Sequence, residues 1–365
     1  MCVEKKIAYA LVCYGAQHSG VHKKILDQVS FWRSSGYLVQ LFVITDVVSV
    51  NSWKSIDEHA VILIDSNIFR KIKNRIDLIK IASFTNPSII YLRDSFPIRI
   101  PKSKVPVIVE IQSLIGEELK SRSWTKFTLF RIFKKPTYRN LSGAVFVTRE
   151  LMEVNEIRMK HQFPKVEIGN SINLERVAPL PPRQFGKPAI FFVGSPNQPW
   201  HGVFELIHFA KSNPEVNVHI VGHVGKETLS NLYFYGKLDS AGYRAVAVKC
   251  NAGVGSLNMK VNRMNQTSSL KVRDYLALGL PVIMKYDDSD LNGADPHVLQ
   301  LPSDGRPLAD FSAEIKIFLD NWANKRVSRD KILNLDVRNK EAIRLEFMEK
   351  VLLKATSDKL PRGWK

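Results

Sequence analysis

The chain has 365 residues, 45% hydrophobic and 24% charged, more than one ordinary core needs and comfortable for two soluble globular domains. It contains no apolar run of the ~18 residues that a spanning helix requires, and its three scattered cysteines (Cys2, Cys13, Cys250) exclude a disulfide framework or a metal knuckle. The 53 basic residues outnumber 35 acidic ones and leave a net charge of +18, which favours a polyanionic partner, either nucleic acid or an anionic membrane surface.

The apolar run Ile7–Cys13 is short for a secretion leader and reads as a first buried strand, which predicts an intracellular protein. Further buried strands are predicted over Leu38–Thr45, Val61–Asp65, Ile89–Leu92, Val105–Ile111, Gly143–Thr148 and Val166–Gly169. Amphipathic helices are expected over Val21–Ser35, Phe69–Thr85 and Glu117–Asn140. A proline-rich stretch, Val177–Pro188, reads as a rigid linker. The alternation then restarts, with strands at Ala189–Val193, Val216–Val221, Asn231–Tyr235, Ala252–Ser256 and Pro281–Lys285. Helices at Val203–Ser212, Tyr243–Lys249 and Leu270–Leu278 intervene, and a helical tail covers Phe311–Trp322 and Glu341–Ala355. Strand–helix alternation of this kind specifies an α/β protein with parallel sheets.

The most informative stretch is Asn265–Ile283. A polar loop leads into a helix near Ser269, Gly279 stops it, and Pro281 opens a buried strand. That order places a helix N-terminus, with unpaired N–H groups and a positive dipole end, at the edge of a parallel sheet, where a phosphate is well held. The stretch resembles the donor-binding signature of the retaining family-4 glycosyltransferases, the "glycosyl transferases group 1" module. In that signature two Glu residues separated by seven precede Ala-x-Ala-x-Gly-x-Pro-Val-Ile. Here Gln266 and Asp274 hold the two acidic positions. The resemblance implies that Gln266 bonds donor-sugar hydroxyls and Asp274 the ribose. The backbone N–H groups of Ser269 and Leu270, with Lys271 beside them, then face the donor diphosphate. A solvated first-turn lysine is the other reading of Lys271.

In the same family the loop after the first strand of the second half often carries an Arg and a Lys aimed at the diphosphate. This chain has Ser195 and His201 there; a protonated His201 helps a leaving diphosphate, a neutral one offers only a hydrogen bond, and a loop histidine without a task is the bland alternative. Tyr235-Gly236-Lys237-Leu238 resembles the element that lines the nucleobase, and His223 is a further strand-end residue. In the first half, Gly20 stands where the family sets a loop against the donor phosphates. Glu110 ends a strand and orients or deprotonates the acceptor, or else is a strand-end acid paired with a lysine. Arg93-Asp94 reads as a structural salt bridge. Asp288-Ser289-Asp290 matches a metal–nucleotide pattern of another transferase fold, but its late position marks it as a surface loop, and no obligatory metal is expected.

Lys120–Arg139 carries seven basic residues and no acid, with Trp124, Phe127, Phe130 and Phe133 recurring every three residues as one apolar stripe. This suits a helix lying in an anionic membrane interface. No DNA- or RNA-binding pattern accompanies the charge, and no nucleic-acid partner is expected.

The resemblance implies a GT-B fold of two Rossmann-like, doubly wound parallel-sheet domains facing a cleft. The expected divisions are 1–180 on the acceptor side, 181–340 binding a nucleotide sugar, and 341–365 crossing back to the first domain. It further implies metal-independent transfer, with retention, from a nucleotide diphosphate sugar to a glycan or lipid-linked acceptor. The setting is bacterial surface polysaccharide synthesis, peripheral on the inner face of the cytoplasmic membrane. A sugar-nucleotide epimerase of the same architecture and a degenerate, binding-only member are the competing readings.

Overall fold

The computed structural model describes residues 5–14, 20–94, 98–138, 140–158, 163–183 and 186–357. The chain forms two compact units, one made of Met1–Gly169 with Val337–Lys365, the other of Asn170–Asp336. The proline-rich stretch Val177–Pro188 falls inside the second.

The first unit holds a seven-stranded sheet: β1 (Lys6–Val12), β2 (Leu38–Thr45), β3 (Val61–Ile64), β4 (Ile89–Arg93), β5 (Val107–Ile111), β6 (Gly143–Phe146) and β7 (Lys165–Glu167). Every neighbouring pair is parallel, in the order β3-β2-β1-β4-β5-β6-β7. Winding therefore proceeds outward from β1 in one direction and from β4 in the other, as in doubly wound sheets. Helices return the chain because parallel neighbours cannot be joined by a tight turn. Helix Gly20–Ser34 buries Ile25, Val29 and Trp32, spaced four and three apart along one face. Helix Ile68–Ser83 begins at Asn67, whose side chain accepts the Arg70 N–H at 2.9 Å.

The last helix, Val337–Ser357, seals this core with charge as well as apolar contact. Tyr9, Trp32 and Tyr91 pack with ring centroids 5.3 Å apart. Below them Glu341 accepts from Trp32 Nε1 at 3.0 Å, Gln28 Nε2 at 3.2 Å and Arg344 Nε at 2.9 Å. Arg344 Nη1 donates to Tyr91 Oη at 2.6 Å, and that hydroxyl donates to Glu110 at 2.8 Å. Lys24 completes the chain by pairing with Glu110. All five charged and aromatic partners of this relay are enclosed, so each charge depends on its neighbour.

The structure changes several expectations. The helix expected over Glu117–Asn140 is two, Ile115–Arg122 and Trp124–Tyr138, broken where Ser123 turns extended (φ −164°, ψ 109°). The aromatic stripe is not one face. Steps of three residues turn a helix by about 300°, so successive aromatics drift about 60°. Phe130 consequently faces inward, 7% exposed, and a Cβ on Gly116 would meet its ring at 2.6 Å, while Trp124 is 66% exposed. The outward apolar residues are Trp124, Leu129 and Ile132, with exposed Lys126 and Arg131 on their flanks; Phe133 and Arg139 lie outside the residues whose side chains are described. Arg93 and Asp94 form no ion pair with each other among the described residues; Tyr138 donates to Asp94 at 2.8 and 2.9 Å.

The second unit repeats the same winding with β8 (Ala189–Val193), β9 (Asn217–Val221), β10 (Leu232–Phe234), β11 (Ala252–Val254), β12 (Gln266–Thr267), β13 (Val282–Met284), β14 (Asp287–Asp288) and β15 (Val298–Gln300). Six strands form the main sheet in the order β10-β9-β8-β11-β13-β15, again all parallel; β12 and β14 pair separately. Its core joins Phe192, Val218, Ile220 and Ile283 of the strands to Leu206, Phe209, Ile315 and Leu319 of covering helices. No helix among the described residues is long and apolar enough to cross a membrane.

Arg344→Met leaves Glu341 and Glu110 short of a buried cation. It should destabilise the protein by about 3–5 kcal/mol, measured by urea unfolding with a probe in the first unit; a loss below about 1 kcal/mol would show the relay to be dispensable.

Candidate functional site

Strand order in the second unit reverses between β8 and β11. Loops leaving those strands diverge there, at the carboxyl edge where α/β sheets bind ligands. Three glycines knit the neighbouring strand ends. Gly194 donates to the Val221 carbonyl at 3.1 Å, Gly222 to that of Gly236 at 2.6 Å, and Gly236 to that of His223 at 3.0 Å. Gly222 is held at φ +91°, and a Cβ there would lie 2.0 Å from the Gly194 carbonyl oxygen, so no side chain fits.

The loop after β8 carries exposed Ser195 and then a single helical turn, Pro199–His201, closed by Gly202 at φ +66° before helix Val203–Ser212. This fold-back buries His201, whose ring packs edge-on to Phe192 with centroids 5.6 Å apart. A Cβ on Gly194 would sit 2.5 Å from His201 Nδ1. Burial first, then the nearby Lys271 and His223, push the His201 pKa down to about 3 against an opposing hydrogen bond from the Ser195 backbone. The ring is neutral at physiological pH. His223, with its ring centroid 6.4 Å from that of His201, is also pulled down, by burial and by Lys271.

Helix Leu270–Ala277 starts from Ser269, which is extended (φ −82°, ψ 122°) and supplies no side-chain cap. Tyr275 pins the helix to the sheet: its hydroxyl accepts the Val193 N–H at 2.8 Å, and its ring fills the space that a Cβ on Gly253 would need. Two basic residues on this helix meet opposite fates. Lys271 places Nζ 4.3 Å from the Phe192 ring centroid, enclosed and without a hydrogen-bond partner among the described residues. Burial pulls its pKa down to about 7. Arg273 pairs with Asp288 and, at 2.6 Å, with Asp290, and donates to Ser268 Oγ at 2.9 Å and the Asn170 carbonyl at 3.2 Å. Burial opposes its charge, but the two carboxylates prevail and raise its pKa. Asp288-Ser289-Asp290 is thus not the surface loop expected; Asp288 is buried in β14 and serves Arg273.

The remaining candidates are distributed as follows. Gln266 lies half-buried in β12, in register with Asp287 of β14. Asp274, half-buried one turn along the helix from Leu270, lies within electrostatic reach of Tyr243 and Tyr275 and raises both their pKa values, after burial. Gly236 holds φ +61° at the end of β10. Ser195, His201, Gly236, Gln266, Ser269, Leu270, Lys271 and Asp274 therefore share the second unit. Gly20 and Glu110 belong to the first. Gly20 is the first residue of helix Gly20–Ser34, and residues 15–19 just before it lie outside those described. Glu110 is fully buried and pairs with Lys24, matching the strand-end-acid-with-lysine reading. Burial favours its neutral form, but Lys24, Arg344 and Arg93 outweigh that and hold its pKa well below the usual carboxylate range. The sequence reading missed Phe192 as a platform for Lys271 and the Arg273 anchor; the Asp-x-Asp spacing was the available signal for the anchor.

Gly222→Ala should cost about 1–3 kcal/mol from backbone strain alone and more from the clash with Gly194, read as a lower melting temperature of the second unit. An unchanged melting temperature would mean that the edge is not knitted this tightly.

No family profile matches the chain, and no curated protein matches it in sequence. Solved structures do match. Sucrose-phosphate synthase from Thermosynechococcus elongatus aligns over 95% of this chain and 99% of its own, with 15% identity and a TM-score of 0.65. The lipopolysaccharide outer core galactosyltransferase WaaB aligns over 97% and 100%, with 12% identity and a TM-score of 0.58. UDP-GlcNAc 2-epimerase from Neisseria meningitidis, bound to UDP-GlcNAc, aligns over 94% and 100%, with 12% identity and a TM-score of 0.55. Two doubly wound parallel-sheet units in sequence, matched end to end by these structures, make the fold GT-B.

Proposed function

We propose that the protein is a glycosyltransferase that moves a sugar from a nucleotide diphosphate donor, with retention and without an obligatory metal, to a glycan or lipid-linked acceptor. The observation that carries the reading is the amine of Lys271, without a hydrogen-bond partner among the described residues, beside the N-terminus of helix Leu270–Ala277, which has no side-chain cap. An enclosed amine without a counter-charge is costly, and an anion arriving at a helix N-terminus supplies that charge. In this reading the Ser269 and Leu270 N–H groups and Lys271 take the diphosphate and stabilise it as it leaves. Neutral His201 contributes a hydrogen bond, Ser195 and Gly236 border the nucleotide, and Gln266 and Asp274 bond the sugar and ribose. Glu110 acts at a distance from chemistry, holding Lys24 and Tyr91, and Gly20 lets the first unit's helix begin close to its ligand edge.

Transfer is preferred over epimerisation because the Leu270–Ile283 frame resembles the transferase donor signature, with Gln266 and Asp274 standing in place of its two Glu residues. An epimerase would alter a nucleotide sugar with no acceptor present. A thermal-shift panel of UDP, GDP, ADP and CMP, each alone and as its sugar conjugate, tests the donor site. One diphosphate at about a hundred times its dissociation constant should add about 2.7 kcal/mol of stability. Lys271→Met should abolish most of that shift. A full shift in the variant, or none in the natural protein, would remove the site from this edge.

The acceptor side of the reading includes an anionic membrane on the cytoplasmic face, in bacterial surface polysaccharide synthesis. The support is the outward face of Trp124, Leu129 and Ile132 flanked by Lys126 and Arg131, an apolar centre with basic edges suited to a headgroup layer. Replacing the three apolar residues with Ser should reduce sedimentation with phosphatidylglycerol-containing vesicles at least tenfold, and phosphatidylcholine vesicles should bind weakly in either case. Equal sedimentation of variant and natural protein would dismiss this face.

A further inference from the structure

The enclosure of Lys271 has a consequence for how the site loads. We propose that the nucleotide diphosphate binds together with a proton taken from solvent, and that Lys271 receives it. The inference rests on the donor site described above and adds its protonation state.

The geometry leaves one group able to do this. Lys271 Nζ lies against the Phe192 ring, and no carboxylate reaches it among the described residues. Facing it from the loop after β8 is buried His201, and from the end of β9 is half-buried His223, two imidazoles whose protonation Lys271 opposes. On its own helix, Arg273 is committed to Asp288 and Asp290, and Asp274 exerts its field on Tyr243 and Tyr275. The cation–π contact with Phe192 favours the ammonium, but burial outweighs it and brings the pKa to about 7. The free protein therefore carries a mixture of amine and ammonium near neutrality. A diphosphate placed beside Nζ supplies two or more negative charges at hydrogen-bond range and drives the group fully to ammonium. One N–H bond forms on the amine, the proton comes from water or buffer, and nothing else changes covalently. Binding then weakens as pH rises, because the proton must be taken from an increasingly dilute supply. His201, held at about 3, starts too far below neutrality to be the main acceptor, and burial and Lys271 oppose protonation of His223 as well.

Titration calorimetry of the full chain with UDP, GDP and ADP at pH 8.5, where their phosphates are fully ionised, counts the proton directly when repeated in Tris and TAPS, whose ionisation enthalpies differ. The diphosphate that binds should take up about one proton per molecule, and its affinity should fall about tenfold per pH unit between 7.5 and 8.5. Lys271→Arg, which stays charged, should bind without uptake and with little pH dependence. Lys271→Met should bind weakly and without uptake, which serves if the arginine does not fit. Binding by the natural protein without proton uptake would overturn the inference and leave the donor site standing. Uptake that persists in either variant would assign the proton to the histidines and overturn it likewise. Binding of none of the three diphosphates would overturn both.

Discussion

Parallel pairing is the constraint from which the rest of the molecule follows. Every pair of neighbouring strands in both main sheets runs the same way, so each strand must be followed by a crossover before its neighbour can form. Crossovers send every strand's carboxyl end to one edge and every helix N-terminus to meet it. The strand order then decides where that edge opens, between β1 and β4 in the first unit and between β8 and β11 in the second. A site built from backbone N–H groups needs no particular side chain to exist. It needs only this winding, which explains how structures at 12–15% identity keep the same architecture over nearly their whole length.

The two units treat their buried charges differently. In the first, Lys24, Glu110, Arg344 and Glu341 form a closed relay through Tyr91, and the helix that carries two of the four arrives at the end of the chain. That relay ties Val337–Ser357 to β4, β5 and the first helix. In the second, Arg273 is fully paired and draws Ser268, Asn170 and the carboxylates of Asp288 and Asp290 around one guanidinium. Its effect is local: it fixes the loop from which helix Leu270–Ala277 starts. Lys271, two residues earlier, has no carboxylate or hydrogen-bond partner at its amine among the described residues.

Alternation of apolar runs and amphipathic stretches made the fold legible in the sequence. Ala189–Val193 and Leu38–Thr45 were read to the residue, because strands buried on both faces are nearly continuous apolar runs. What could not be read was non-local. Nothing near Glu110 announces Arg344, more than two hundred residues away, and nothing near Arg273 announces that Asp288 and Asp290 fold back onto it. The three-residue recurrence of Trp124, Phe127 and Phe130 was real in the sequence and misleading in space. A step of three falls short of a helical turn, so an inward and an outward aromatic share one pattern. Leu129 and Ile132, which complete the outward face, carry no such pattern and were passed over. At the site, the Asn265–Ile283 frame located the helix N-terminus, but only the structure shows its lysine amine enclosed against the Phe192 ring of β8.

That enclosure bears on the departures from the donor signature. Ser195 and His201 stand where the family that the chain resembles often carries an Arg and a Lys. His201 is neutral and packed on Phe192, so the loop after β8 contributes shape and hydrogen bonding without charge. In the proposed reading the compensating charge moves to the helix, onto a side chain already oriented by Phe192 and by the Tyr275 anchor. A solvated arginine is always charged and attracts any polyanion, as a net charge of +18 does in general. A buried amine is different. In the proposed reading it reaches full charge when a diphosphate sits close enough to repay its desolvation, so its attraction is confined to ligands that reach it. On that proposal, a decisive charge held out of the general field is what lets a strongly basic protein select one anion beside an anionic surface.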